Sequence, residues 1–177
     1  MNRRNILGLS AIAASMRILG FVLTGFCCLQ PGFALADDAA KQIVGTWKLI
    51  SMLTKIDGGD AIQPYGSNPK GRLVITSDGY WIAIITGANR GQAKNSDEKA
   101  TLLDSMLAYS GKYSIDGDRV TTHVDMSSNE IYSGANQNQT RYFNVDGDKL
   151  ILRTGQIASA VRPGQKAEGT LTFVREH

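Results

Sequence analysis

Cysteine is nearly missing from this chain: its 177 residues contain two, adjacent at Cys27 and Cys28. Beyond them nothing can form a disulfide, act as a thiol nucleophile or give a metal a thiolate ligand. Histidine is as scarce, with His123 the one position apart from the terminal His177. One imidazole and scattered carboxylates make a poor metal set. Asp116-Gly117-Asp118 and Asp146-Gly147-Asp148 lack the spaced acids of a calcium loop. Past residue 36 the chain has no Gly-x-Ser-x-Gly elbow, no phosphate-cradling glycine loop and no dinucleotide fingerprint. The common hydrolase and nucleotide chemistries therefore have no visible equipment, and no cofactor and no metal is implied.

Excess charge is also missing. Three of the 19 basic residues, Arg3, Arg4 and Arg17, fall in the first 36 positions, where there is no acid, so the remainder carries 16 charges of each sign. A neutral body without a lysine and arginine stripe has no electrostatic footprint for nucleic acid or for an anionic membrane surface. What is present, 42% hydrophobic and 20% charged residues, is the composition of one ordinary globular domain, neither disordered nor fibrous.

The first 36 residues read as a targeting segment. Arg3 and Arg4 precede an apolar run from Ile6 to Leu29, Pro31-Gly32 breaks it, and Ala34-Leu35-Ala36 stands before Asp37-Asp38. That order predicts a secretory signal peptide over residues 1–36, cut after Ala36, and a periplasmic or secreted body over 37–177. A membrane anchor is the competing reading, because the run approaches bilayer length. Arg17 interrupts it, and the small-residue cleavage site follows it, so the mature chain is expected to have no membrane span. The paired arginines are compatible with a twin-arginine or an ordinary signal. Met16-Arg17 followed by residues 18–36 would also serve as a signal on its own.

The body alternates short strand-like runs with turn signals. Asp57-Gly58, Asp78-Gly79, Asp116-Gly117 and Asp146-Gly147 offer the positive φ that tight hairpins need. Leu73 to Thr76, Tyr80 to Ile85, Tyr113 to Ile115, Val120 to Val124, Tyr142 to Val145 and Leu150 to Leu152 flank three of these turns and are rich in β-branched and aromatic residues. Strands are expected at 44–55, 61–65, 71–77, 80–86, 108–115, 119–126, 139–145, 149–154 and 169–175. One helix interrupts them, with Ser96 as its cap, Asp97 and Glu98 at its positive end, and Leu102, Leu103, Met106 and Leu107 as a stripe that packs as a lid or plug on the sheet. Eight or nine antiparallel strands leave costly edges unless they close, so the prediction is an all-β, up-and-down barrel with one short helix and room for a small ligand. Three long polar stretches, 87–95, 127–138 and 155–168, are expected to cluster round its mouth.

A resemblance sharpens this. Gly45-Thr46-Trp47 opens the first strand, and residues 45–50, 64–73 and 76–79 follow a pattern that continues through Tyr109 to Tyr113, Asp116 to Val120, His123-Val124, Arg141 and Asp146 to Leu150. Over residues 43–175 the chain closely resembles the bacterial and fungal lipocalin-like domain family, which implies a lipocalin-like barrel and, by analogy of fold, ligand binding. It departs from the family pattern at Glu130-Ile131-Tyr132-Ser133-Gly134, where a Pro and a Trp are expected before the Gly. The loop through Gln139 is about two residues longer than that pattern.

Five side chains are candidates for ligand binding. His123 shares a strand face with Thr121 and Asp125, opposite Val120, Val124 and Met126. Facing inward, it would place an imidazole in the barrel; otherwise it is a structural or surface histidine. Arg141 shares a face with Phe143 and Val145 and needs either Asp125 or a ligand carboxylate as partner, unless its stem simply snorkels over apolar surface. Tyr109 and Tyr113 share a face with Gly111 between them, so the glycine would make room for a ligand, unless the pair is core packing. Tyr132 lies in the divergent loop. Trp47 is structural, closing the floor with Arg175 or Arg153 stacked on it.

The expected function is binding of a small, mostly hydrophobic molecule, oriented by some of His123, Arg141, Tyr109, Tyr113 and Tyr132. An alternative is a barrel enzyme of isomerase, dehydratase or cyclase type, with His123 as general acid or base and Arg141 or a tyrosine steadying negative charge. A third possibility is an envelope protein with a packed interior.

Overall fold

The computed structural model describes residues 40–159 and 162–177. The expected signal peptide, the alternative start at Met16 and the cysteine pair lie outside them. No described helix is long and apolar enough to cross a membrane, a statement that does not concern β-barrels.

Ten strands follow in chain order: β1 (Gly45–Ile56), β2 (Ala61–Ile62), β3 (Lys70–Ile75), β4 (Tyr80–Thr86), β5 (Met106–Asp116), β6 (Arg119–Ser127), β7 (Asn138–Asp146), β8 (Lys149–Arg153), β9 (Ile157–Ala158) and β10 (Lys166–Glu176). Each long strand pairs antiparallel with the next, and β1 also pairs with β10 from Thr46↔Glu176 to Ile56↔Ala167. Eight strands thus close into a barrel, with β2 and β9 as short additions on β1 and β10. Closure satisfies the backbone groups that an open meander would leave at two edges.

Alternation decides what fills the barrel. In β4 the inward Trp81, Ala83 and Ile85 are buried while Tyr80, Ile82 and Ile84 face out. The same two-residue period buries Val120, Thr122 and Val124 of β6 and Leu150 and Leu152 of β8.

Up-and-down connectivity sorts the connections by end. The tight turns of β3–β4, β5–β6 and β7–β8 all fall at one end, and the long connections 57–69, 87–105, 128–137 and 154–165 all fall at the other. The Asp-Gly pairs supply the turns: Gly79, Gly117 and Gly147 have φ of 91°, 61° and 56°. At this hairpin end a helical turn over residues 40–43 brings in the fully buried Ile43, whose carbonyl accepts from the Trp47 indole at 2.8 Å. The Arg175 guanidinium lies 4.0 Å from the Trp47 ring centre and donates to Val44 O and Gln42 O. Gly45 is required beside it, because a Cβ there would come within 2.4 Å of Arg175 Nη1 and its φ is +144°. The hairpin end is the floor, and the long loops form the mouth.

Helix α1 (Ser96–Asp104) differs from expectation. Its N-cap is Asn95, whose side chain accepts from Glu98 N while the Glu98 carboxylate accepts from Lys94 N and Asn95 Nδ2, a reciprocal cap one residue earlier than Ser96. None of its residues is buried, and Met106 and Leu107 belong to β5. Leu102 and Leu103 therefore do not form a plug; the apolar spacing straddled a helix end and a strand start. The strand expected at 61–65 is only Ala61–Ile62, since Gly66 N bonds Gln63 O and the chain turns away.

Candidate functional site

Inward side chains differ in burial. Near the floor the inward Trp47, Ile75, Trp81, Leu150 and Phe173 are at most 2% exposed. Towards the mouth the inward Met52, Leu107, Gln139, Arg141 and Leu171 are half-buried, while Ile56, Ile85 and Tyr109 are 7%, 2% and 7% exposed. Half-buried inward side chains thus occur at both ends, with Tyr113, Ile115 and Val145 towards the hairpins.

Three tyrosines meet in the mouth half. Tyr109 comes from the mouth end of β5, is 7% exposed and lies opposite Ala83 of β4. Tyr132 ends a short 3-10 turn, Glu130–Tyr132, in the β6–β7 connection. That connection is tied to β6 by Val124 N to Gln137 O and Gln137 Nε2 to Val124 O, each 2.9 Å. The rings of Tyr109 and Tyr132 lie 5.3 Å apart, tilted by 34°, a favourable aromatic arrangement. Tyr65 reaches the core from the 57–69 connection, held where its carbonyl accepts from Ala88 N at 2.9 Å.

None of the three phenol oxygens hydrogen bonds another described residue. Burial pushes the Tyr132 phenol up to about 12, neighbouring Tyr109 and Tyr65 add to the rise, and the Arg141 charge opposes it. Burial also raises Tyr65. Both phenols stay neutral donors at physiological pH. For Tyr132 the raised folded value means that its neutral form favours the fold below its ordinary value near 10, a contribution lost as pH climbs through about 12. An ultraviolet tyrosinate titration will therefore show a step near pH 12 that is absent from Tyr132→Phe. Its persistence in that variant would assign it elsewhere.

Arg141 points inward from β7 on the same face as Phe143 and Val145, which pack on the core. Its Nη1 donates to Thr140 O at 2.9 Å and its Nη2 to Gln139 Oε1 at 3.1 Å. Outside this cluster, Tyr132 also lines a groove of about 280 Å³ between the end of β6 and its loop, together with Ser127, Asn129, Glu130 and Gln137.

The other candidates lie elsewhere. His123 is exposed on the outer face of β6, its Nδ1 2.9 Å from Asn138 Oδ1 across the strand pair. The buried face of β6 is Val120, Thr122 and Val124, so the polar face turns outward and the imidazole lies outside the barrel, not in its lumen as expected. Asp125 faces out with it and accepts from Ser110 Oγ at 2.9 Å. It cannot be the partner of Arg141, and the enzyme alternative loses its proton carrier. Tyr113 is inward but at the floor end, donating to Thr76 O at 3.0 Å. Gly111 does not open ligand space between the tyrosines, because its missing Cβ is replaced by the β6 backbone, as a Cβ would lie 1.9 Å from His123 O.

Tyr65 was not singled out by the sequence reading. It sits in a turn without periodicity, and its one signal is a large aromatic between Pro64 and Gly66 in an otherwise polar connection. Among the described residues no group of three or more His, Cys, Asp or Glu is placed to hold a metal ion.

A closed eight-stranded antiparallel barrel with meander connectivity is the up-and-down β-barrel class to which lipocalins belong. The chain belongs to the lipocalin-like domain family, whose pattern it matches over residues 44–176. No curated protein matches it. Among solved structures, an uncharacterized protein from Bacteroides eggerthii DSM 20697 is similar at 10% identity and TM-score 0.40, over 75% of this chain and 98% of that one.

Proposed function

We propose that this protein is an exported barrel that binds a small, mostly apolar molecule in the mouth half of its interior. The observation that carries this is the convergence of Tyr65, Tyr109 and Tyr132, phenol oxygens unpartnered, beside half-buried inward apolar side chains such as Leu107 and Leu171. Apolar wall and aromatic faces would supply affinity at about 25 cal/mol per Å² covered, and the phenols would fix orientation. Export rests on the basic, apolar, small-residue order of residues 1–36.

The test is titration with phenylnaphthylamine, a neutral dye that fluoresces in apolar sites. Saturable binding of one dye per chain is expected, and Tyr132→Ala will weaken it at least about fivefold by removing a wall of the site. Wild-type affinity in that variant, together with Tyr109→Ala, would place the dye elsewhere and defeat the proposal.

A further inference from the structure

We infer that the molecule bound in the mouth carries an anionic oxygen head group, of the carboxylate kind, that pairs with the Arg141 guanidinium; this rests on the binding function proposed above. The argument is a census of charge. Among the described residues every aspartate and glutamate is exposed except Glu176, and every lysine and arginine is exposed except Arg141 and Arg175. Two of these three are already paired. Glu176 holds Arg72 at 2.6 Å on the outer surface, and Arg175 lies 3.6 Å from Asp148 while donating to two floor carbonyls.

Arg141 has no such partner. No ion pair among the described residues includes it, and two of its nitrogens are engaged, by a neutral carbonyl and a neutral amide. A guanidinium has five N–H donors in a planar fork, so part of that fork remains open on the inward face of β7. Its surroundings are one-sided as well. The phenols of Tyr65 and Tyr132 are further neutral donors, the Arg141 charge is felt at the Tyr132 phenol, and the one inward amide oxygen on β7, Gln139 Oε1, already accepts from Arg141. A half-buried cation among donors, with no carboxylate to answer it, selects a ligand that brings only acceptors and a negative charge. The matching apolar body lies against the aromatic pair of Tyr109 and Tyr132.

Two dyes that share one aromatic body separate this from the binding function itself. Anilinonaphthalene sulfonate carries an anionic head, and phenylnaphthylamine is the same skeleton without it. The sulfonate is expected to bind the full-length protein about tenfold tighter than the neutral dye, and rising salt will weaken only the sulfonate. Arg141→Gln will reduce sulfonate affinity about tenfold and leave the neutral dye within about twofold, while Arg141→Lys, which keeps the charge and loses the fork, will fall between. An unchanged thermal midpoint confirms that the Gln variant is folded. Should it unfold, the Lys variant and the salt series carry the same comparison. Equal binding of both dyes, or a sulfonate affinity insensitive to Arg141 and to salt, overturns the inference and leaves the binding function standing. Failure of both dyes to bind overturns both.

Discussion

Gly111→Ala will cost the barrel at least about 3 kcal/mol of stability, read as a lowered urea midpoint, or will prevent folding. Gly111 is buried in β5, and a Cβ built there would lie 1.9 Å from His123 O, 2.7 Å from His123 C and 3.0 Å from Val124 Cα. All three obstacles are main chain of the neighbouring strand, so no rotamer can relieve them. The register between β5 and β6 slips at this point, from Ser110↔Met126 to Gly111↔Val124, leaving Asp125 bulged out. The close approach of the two backbones is what the bulge creates. Gly91→Ala is the control, since a Cβ there meets nothing within 4 Å. If both variants melt with the parent, the steric account is wrong.

Trp47→Ala will cost about 4 kcal/mol, because a large, fully buried ring is replaced by a cavity that the β1 and β10 backbones cannot close. The loss is more than volume. The indole N–H that bonds Ile43 O disappears, stranding a carbonyl under the floor, and Arg175 loses the face on which its guanidinium rests. Trp47→Phe keeps a ring there and should lose clearly less. Urea unfolding followed by far-ultraviolet circular dichroism measures both, and equal losses would show that the ring volume Phe retains contributes nothing, against the cavity account.

The parts of this fold that were legible in the sequence are those fixed by local chemistry. Each Asp-Gly pair announced a turn because an L-residue is strained where Gly58, Gly79, Gly117 and Gly147 sit, and all four have positive φ. Strand alternation placed Arg141 beside Phe143 and Val145, and the structure keeps them on one inward face. What stayed hidden depends on partners distant in sequence. One face of β6 is polar, with Thr121, His123 and Asp125, and the other mostly apolar, but which of them turns inward is settled by the neighbouring strands, which bury Thr122 and leave His123 outside. The bulge opposite Gly111 then turns Met126, apolar and on the expected face with Val124, out to 69% exposure. Tyr65 was missed for a related reason: a turn residue has no period, and its burial comes from meeting the chain again at Ala88.

The seam between β1 and β10 joins residue 46 to residue 176. Until the last strand docks, the polypeptide is an unrolled ribbon with bare edges on β1 and β8, the partners that β10 satisfies simultaneously. Such long-range zippering makes closure the late, slow event of folding. A chain truncated within β10 would retain two sticky margins, trading a self-contained cylinder for a template that recruits other copies.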